Sequence, residues 1–260
     1  MSSEIPTQQP PLVFEDDFDG PGLDERAWIA AYLPQWSSRA EAAATWSIAE
    51  SCLTLSIPSE QGLWCPGDHA PLRVSGVQSG VFSGPVGSTV GQQPPWEGAV
   101  VREEQPAHWG WTPLYGRLEL RARMSLSHRS MAAWWLVGLE TSPEDCGELC
   151  VAEVFGDALT DEGAAVGMGV HAFRDPRLHE DFEAPRVGID VAEWHVYAVD
   201  WREGRAIFEV DGQWVRSVPL SPGYPLQSML AVFDFPDRAR PGDAPHVPEL
   251  VVDWVRGYAP

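Results

Sequence analysis

The sequence predicts an all-β fold in which two antiparallel sheets stack as a jelly-roll sandwich. Three observations predict it. The 260 residues include 24 glycines and 24 prolines, which favours many turns over long helices. Apolar and polar residues alternate with a period of two in residues 116–124, where Leu118, Leu120, Ala122 and Met124 share one face. No helical pattern of about 10 to 15 residues separates the strand patterns, which excludes a parallel sheet built from βαβ units.

The chain is expected to form one domain. Sandwiches of this length are common as single units, and 44% hydrophobic residues suffice for a sizeable core. Residues 1–12 are polar and rich in proline, so we expect a flexible N-terminal tail followed by a single domain over residues 13–260. Gly- and Pro-rich stretches predict long loops at 84–95 and 236–248. The one helix-like segment, 39–44, is short.

Turn residues place a three-stranded antiparallel meander over residues 195–217. Glu203-Gly204 and Asp211-Gly212 each lie between alternating apolar runs. Pairs ending in glycine suit tight turns that need a positive φ, and Asp-Gly is among the favoured ones. Two hairpins therefore follow each other directly.

The charge balance disfavours polyanionic partners. Seventeen basic and 38 acidic residues give a net charge of −21, which repels nucleic acid and anionic membranes. A neutral polysaccharide or oligosaccharide is the better match. The sequence shows neither an export signal nor a membrane-spanning run. A cytoplasmic monomer is the expectation, or a secreted one if a signal is missing from the sequence.

The four cysteines give no metal-binding pattern. Their spacing contains no CxxC, so we expect no metal at the active face. Cys146 and Cys150, in one extended strand, lie about 13 Å apart, which is too far for a disulfide. Cys52 and Cys65 are left as a possible pair, which a reducing compartment would keep open.

Two glutamates five residues apart are the strongest functional signal. Glu148 and Glu153 lie in a run that otherwise reads as a buried strand. Most glycosidases cleave with two carboxyl groups on one wall of a groove. An odd spacing sends the two side chains to opposite faces of a regular strand, so the sequence predicts a β-bulge between Cys150 and Glu153. The bulge brings Glu148, Cys150, Glu153 and Phe155 to one face.

This run and several others resemble glycoside hydrolase family 16. E-L-C-V-A-E at 148–153 is similar to the family's E-x-D-x-x-E signature, with Cys150 in place of the aspartate. Further similar motifs follow in the family's order and cover roughly residues 13–258: F-E-D-D-F-D-G at 14–20, L-Y-G-R-L-E-L-R-A-R at 114–123, A-A-W-W-L-V-G at 132–138, V-H at 170–171, W-H-V-Y-A-V-D-W at 194–201, V-D-G at 210–212 and V-D-W-V-R-G-Y at 252–258.

The resemblance implies a concanavalin-like jelly roll and a retaining, endo-acting hydrolase of a neutral β-glucan with β-1,3 or β-1,3/1,4 linkages. It assigns Glu148 as the nucleophile and Glu153 as the general acid and base. Cys150 would lie between them. Cysteine offers only a weak S–H donor, so we expect a lower pKa at Glu153 and a more acidic pH optimum than aspartate would give.

The resemblance also implies further site residues. Trp135 takes the position of a groove tryptophan, although strand parity decides whether Trp134 or Trp135 faces the groove. His171 matches a family position beside the strand of the two glutamates, where it either contacts substrate or has a structural role. Asp17 and Asp253 match positions that hold a structural calcium in some members, on weak evidence, and no other cofactor is expected.

Tryptophan is unusually common. The chain has 13 Trp against 9 Phe and 5 Tyr, and flat indoles suit the apolar faces of sugar rings. Trp109 and Trp111, in a loop, are predicted platforms for substrate. Trp194, Trp201 and Trp254 lie in strong strand patterns and are predicted to be core residues.

Two alternatives stay open. A non-catalytic carbohydrate-binding module on the same fold would explain the missing aspartate, whereas the presence of both glutamates favours an enzyme. A transglycosylase uses the same covalent intermediate, and the sequence does not separate it from a hydrolase.

Overall fold

The computed structural model describes residues 10–260. Residues 1–9 of the predicted tail lie outside the described residues, and the chain enters its first strand at Leu12. Within the described range the strands, numbered in chain order, are β1 Leu12–Asp16, β2 Trp46–Ala49, β3 Cys52–Ser56, β4 Arg73–Gln78, β5 Gly80–Val81, β6 His108–Trp109, β7 Gly116–Ser125, β8 Ser130–Gly138, β9 Glu148–Phe155, β10 Leu159–Thr160, β11 Gly163–Ala165, β12 Gly167–His171, β13 Asp181–Glu183, β14 Arg186–Val187, β15 His195–Arg202, β16 Arg205–Val210, β17 Gln213–Val218, β18 Leu226–Asp234 and β19 Glu249–Tyr258.

Two antiparallel sheets form the sandwich, which confirms the predicted fold class. The larger sheet has the order β17-β16-β15-β7-β19-β3-β2, with β1 also paired to β19. The six-stranded sheet has the order β13-β12-β9-β8-β18-β4. Two small sheets, β10-β11-β14 and β5-β6, lie beside them. Helix in the described part is limited to short 3-10 turns at Pro34–Trp36, Gly156–Ala158 and Pro236–Arg238. None of the described helices is long and apolar enough to cross a membrane.

The main core lies between the two sheets and follows the alternation in the sequence. In β7, Leu118, Leu120, Ala122 and Met124 are all buried there, as predicted. Trp134 also points into this core, and its indole N–H donates to Ser228 Oγ at 2.9 Å. The buried polar atom is thereby satisfied.

A second hydrophobic cluster covers part of the outer face of the six-stranded sheet. We call it the outer cluster. Its covering layer comes from residues 29–42 and 64–72, which pack on Val74 of β4, Met131 of β8 and Phe233 of β18. As a result β18 is buried at all nine positions and β4 at five of six. The residues that are at least partly exposed towards the other edge of this sheet include Glu153 and Phe155 of β9, His171 of β12 and all three residues of β13.

The predicted meander is confirmed as β15, β16 and β17. Gly204 and Gly212 adopt a φ of 70° in its two turns. Trp201 is fully buried, as predicted. Trp194 and Trp254 are only partly buried and lie under arginine guanidinium groups, so their assignment to the core was wrong.

Two local expectations change. Residues 39–44 form turns and a single β-bridge, not a helix. Cys52 and Cys65 are both free thiols. The Cys65 thiol lies buried in the outer cluster, where it donates to the carbonyl of Trp36 at 3.1 Å.

Candidate active site

The predicted bulge lies in β9. Across β8 and β9, Trp134 pairs with Ala152 while Trp135 pairs with Cys150, so Val151 is the extra residue. The extra residue shifts the alternation of side chains between the two faces of the strand. Side chains that point into the main core are those of Leu149, Val151, Ala152 and Val154. Glu148, Cys150, Glu153 and Phe155 take the opposite face.

Glu148 and Glu153 open into one cleft of about 380 Å³. Its floor is formed by the six-stranded sheet and includes Trp135, Val137, His171 and Met229. Its walls come from loops of the covering layer and of the long loop at 84–95: Tyr32, Leu33, Trp64, His69, Leu72, Gln93, Pro94 and Pro95.

Glu148 is the more buried carboxyl. Only 6% of the residue is exposed. Burial raises its pKa well above the ordinary value, and the charges of Glu153 and Glu180 raise it further. No hydrogen-bond donor among the described residues offsets this effect.

Glu153 is half-buried, and burial raises its pKa as well. His171 and the indole N–H of Trp135 oppose that rise. The Trp135 N–H is itself buried and makes no hydrogen bond of ordinary geometry with any described residue. It lies beside the carboxyl group of Glu153.

Cys150 is fully buried between the two glutamates. Burial and the two neighbouring carboxylates raise the pKa of its thiol well above the usual range, so the thiol is neutral. Its Sγ donates to the carbonyl of Gly167 at 3.4 Å. The donor is thus engaged with the backbone of β12.

His171 pairs with Glu148 across β12 and β9 and lines the cleft. Its Nδ1 shares a hydrogen bond of 2.5 Å with Glu180, and its ring stacks on Phe182 at 4.4 Å between centroids. Both contacts fix the ring at the open side of the cleft.

The tryptophan predictions divide. Trp135 lies on the cleft floor and Trp134 in the core, which settles the parity question. Trp111 is only 9% exposed and stacks on Phe14 at 4.3 Å in the main core, so its assignment as a platform is corrected. The Trp111 ring packs closely against the backbone of Gly257 in β19, where a side chain would collide with it. Trp109 is half-exposed but stacks on Phe82, outside the residues that line the cleft.

Sequence reasoning missed the wall residues. Tyr32 and Trp64 lie far from β9 in the chain, and no motif marked them. Phe173 carried a weak signal: it follows His171 by two residues. It is 53% exposed at the cleft and adopts a φ of 47°, a conformation that bulky residues rarely take.

A buried polar network holds the start of β9. The hydroxyl of Tyr224 accepts from the N–H of Gly147 and donates to Asp175 Oδ2, both at 2.7 Å. Arg177 binds the same carboxylate through Nε at 2.7 Å, and its hydrogen bonds lower the pKa of Asp175. The network lies outside the cleft lining and acts on the backbone next to Glu148.

Of the two residues proposed for calcium, Asp253 is engaged by an arginine. Asp253 forms an ion pair with Arg121, and no group of three or more acidic, histidine or cysteine residues within 10–260 could hold a metal. Calcium requires six to eight oxygen ligands.

Comparisons with known proteins agree with this architecture. Residues 111–239 match the model of glycosyl hydrolases family 16. No curated protein sequence matches significantly. Among solved structures, the chain is similar to the GlcNAcα1-4Gal-releasing endo-β-galactosidase of Clostridium perfringens, with 23% identity and a TM-score of 0.80 over 100% of this chain and 65% of that one.

Two further structures have the same fold. One belongs to the endo-acting O-glycanases that initiate mucin breakdown in human gut microbiota, with 21% identity, a TM-score of 0.60 and coverage of 95% and 99%. The other is a laminarinase from Flavobacterium sp. UMI-01, with 15% identity, a TM-score of 0.64 and coverage of 95% and 100%. The chain spans about 65% of the length of the Clostridium chain. The solved structures show that the chain shares their fold. The family match over residues 111–239 and the order of motifs around the bulged strand show that the chain belongs to glycosyl hydrolases family 16.

Proposed function

We propose that this protein is a retaining glycosidase in which Glu148 is the nucleophile and Glu153 the general acid and base. One observation carries the proposal: a bulge at Val151 turns both carboxyl groups into the same small cleft. Two glutamates of a regular strand at this spacing would lie on opposite faces.

The chemistry takes two steps. A carboxylate oxygen of Glu148 bonds to the anomeric carbon as the glycosidic C–O bond breaks, and Glu153 gives its proton to the leaving oxygen. Glu153 then takes a proton from water, whose oxygen bonds to the anomeric carbon and releases Glu148. A sugar hydroxyl in place of water would give transglycosylation.

The electrostatics of the cleft bear on these roles. Glu148 is deeply buried without a donor, whereas Glu153 has His171 and Trp135 beside it. The cleft residues therefore favour the proton of the pair on Glu148, which is the reverse of what attack requires. Under our assignment, substrate binding moves this proton to Glu153.

The proton position makes azide rescue the decisive test of the roles. In E148A, azide replaces the nucleophile and attacks the face opposite the leaving group, which inverts a β-linked substrate to the α-glycosyl azide. In E153A, azide replaces the activated water on the glycosyl-enzyme and gives the β-glycosyl azide. A β-glycosyl azide from E148A and an α-glycosyl azide from E153A would instead make Glu153 the nucleophile and Glu148 the general acid and base.

A neutral β-linked glycan is the proposed substrate. The net charge of −21 disfavours polyanions, and the cleft floor combines an indole face with few polar groups. The structures named above include a laminarinase and an endo-β-galactosidase. Identity is higher to the galactosidase, 23%, than to the laminarinase, 15%. We retain a β-glucan as the first candidate, with galactose-containing glycans as the second.

Binding without cleavage is the second candidate function. The observation that favours it is Cys150, a neutral thiol whose donor is engaged with Gly167 at the centre of the site.

Reducing-sugar release distinguishes the two functions. The panel contains laminarin, mixed-linkage β-glucan, xyloglucan and galactose-containing O-glycans, with E148Q and E153Q as matched variants. Release that both variants lose supports the enzyme. Binding to one glycan without release would establish the binding module instead.

A further inference from the structure

The cleft is closed at one end. Cleft residues lie on β12, β9, β8 and β18 in order across the sheet, and β4 is the next strand. The outer face of β18 and β4 is filled by the outer cluster. A glycan that crosses the strands from β12 therefore meets protein when it reaches β18.

The closed end is a packed wall. Leu33 donates its N–H to the side-chain oxygen of Gln78 at 2.8 Å, and Ile29 exchanges two backbone hydrogen bonds with the same residue of β4. The Tyr32 ring lies edge-on against Trp64 and Phe233, with centroids 5.2 and 5.3 Å away. Each contact joins the covering layer to the sheet beneath it.

Further hydrogen bonds tie the wall to neighbouring loops. The indole N–H of Trp64 donates to the carbonyl of Tyr32 at 2.9 Å, and that of Trp36 to the carbonyl of Gln92 at 2.7 Å. Trp36 and Trp64 are almost fully buried. Opening this end would separate buried apolar surfaces and break these bonds, so the wall belongs to the fold.

The opposite end is open. All three residues of β13 are at least partly exposed, and Phe173 presents its ring there. His171 is held beside it by Glu180 and Phe182. An exposed aromatic ring in a strained backbone conformation, next to a fixed imidazole, suits a sugar ring that continues out of the cleft.

The volume agrees with a short insertion. A cleft of about 380 Å³ lies at the small end of the roughly 300–1,000 Å³ typical of pockets for small ligands.

We propose that the cleft receives one end of a glycan chain against the wall at Tyr32, so that cleavage occurs at a fixed, short distance from that end. The cleavage step in this inference rests on the proposed function. The insertion of a chain end rests on the geometry of the cleft alone. The released product is a short saccharide of one length, while the rest of the chain leaves past Phe173.

The test uses β-1,3-gluco-oligosaccharides of graded length, each carrying a bulky fluorophore at either the reducing or the non-reducing end. A closed cleft accepts one labelled form and rejects the other, and early digests contain one short product whatever the substrate length. A ladder of early products, or equal acceptance of both labelled forms, would overturn the inference. If the reducing-sugar assay identifies a galactose-containing glycan as the substrate, labelled oligosaccharides of that glycan replace the β-1,3-gluco-oligosaccharides in this test.

Binding of the labelled pairs to E148Q separates the two proposals. Discrimination between the two ends without any hydrolysis by the native chain would refute the proposed enzyme and leave the closed cleft standing. Equal binding of both labelled forms, together with normal hydrolysis by the native chain, would refute the closed cleft and support the proposed enzyme.

Two variants examine the ends separately. Y32A should admit a longer end and lengthen the product, whereas Y32F, which keeps the ring, should not. F173A should raise KM for long substrates about tenfold through the lost ring contact and leave product length unchanged. If Y32A fails to fold, the labelled pairs on the native chain still decide.

Discussion

The hydroxyl of Tyr224 accepts a hydrogen bond of 2.7 Å from the backbone N–H of Gly147, the residue directly before Glu148. Strand β9 thus begins at a backbone position fixed by a side chain from the segment before β18. The same hydroxyl donates to Asp175, so one buried oxygen joins three loops next to the start of β9.

Tyr224→Phe should destabilise the protein and slow turnover. The change leaves the Gly147 N–H without its partner, at a cost of about 1–3 kcal/mol, and frees the backbone beside Glu148. Urea unfolding and kcat measure the two effects. Y115F is the matched control, because no hydrogen bond of the Tyr115 hydroxyl is present among residues 10–260. Equal behaviour of the two variants would refute a positioning role for Tyr224.

Gly167→Ala should reduce turnover more than stability. A Cβ at this position would lie 2.6 Å from the Phe182 ring and 3.1 Å from the Cβ of Glu153, its partner across the strands. A displacement of about 1 Å at a reacting group costs up to roughly a hundredfold in rate. The control is G188A, where the nearest atom is 4.0 Å away. Unchanged kcat in G167A would show that Glu153 tolerates the displacement.

Cys150→Asp should move the alkaline limb of the rate profile to higher pH. A carboxylate between the two glutamates disfavours ionisation of Glu153 and so raises its pKa further, which keeps the acid protonated at higher pH. The measurement is kcat/KM against pH for the native chain, C150D and the neutral control C150S. A profile of C150D that coincides with the native one contradicts this reasoning.

Glu148→Gln should stabilise the protein at neutral pH. The folded-state pKa of Glu148 is raised, so its favourable contribution is complete below the unfolded pKa and is lost as pH rises through the folded value. Glutamine removes that loss, and the gain in Tm over the native chain should shrink as pH falls towards about 4. E193Q, at an exposed glutamate, should show no such trend. A constant difference between E148Q and the native chain would argue against a raised pKa.

The local sequence pattern was sufficient to predict the fold class and the bulged strand that carries the two glutamates. The alternation of β7 and the glycine turns of the meander specify strands through nearest neighbours alone. The bulge at Val151 was predictable because side chains alternate between the two faces of a regular strand. Two glutamates at an odd spacing can share one face only if the strand contains an extra residue. These inferences depend on a few consecutive residues.

The walls of the cleft depend on contacts that are distant in the chain. Tyr32 reaches the site because Ile29 and Leu33 bind Gln78, 45 to 49 residues later, and nothing near Tyr32 encodes that partner. The prediction that Trp111 is a platform for substrate was wrong for the same reason. Its loop has an exposed pattern in the sequence, but its ring packs against Phe14 and Gly257, which are distant in the chain. Side-chain parity likewise separated Trp134 from Trp135 only once the register of β8 was known.

The covering layer links substrate length to the integrity of the protein. Val74, Ala231 and Phe233 are kept from water by the residues that close the cleft. An engineer who trimmed residues 29–42 to admit longer polymers would leave an apolar sheet face bare, with the aggregation that such surfaces promote. A longer cleft in this scaffold therefore requires polar replacements on β18 and β4 together with the shortened loop.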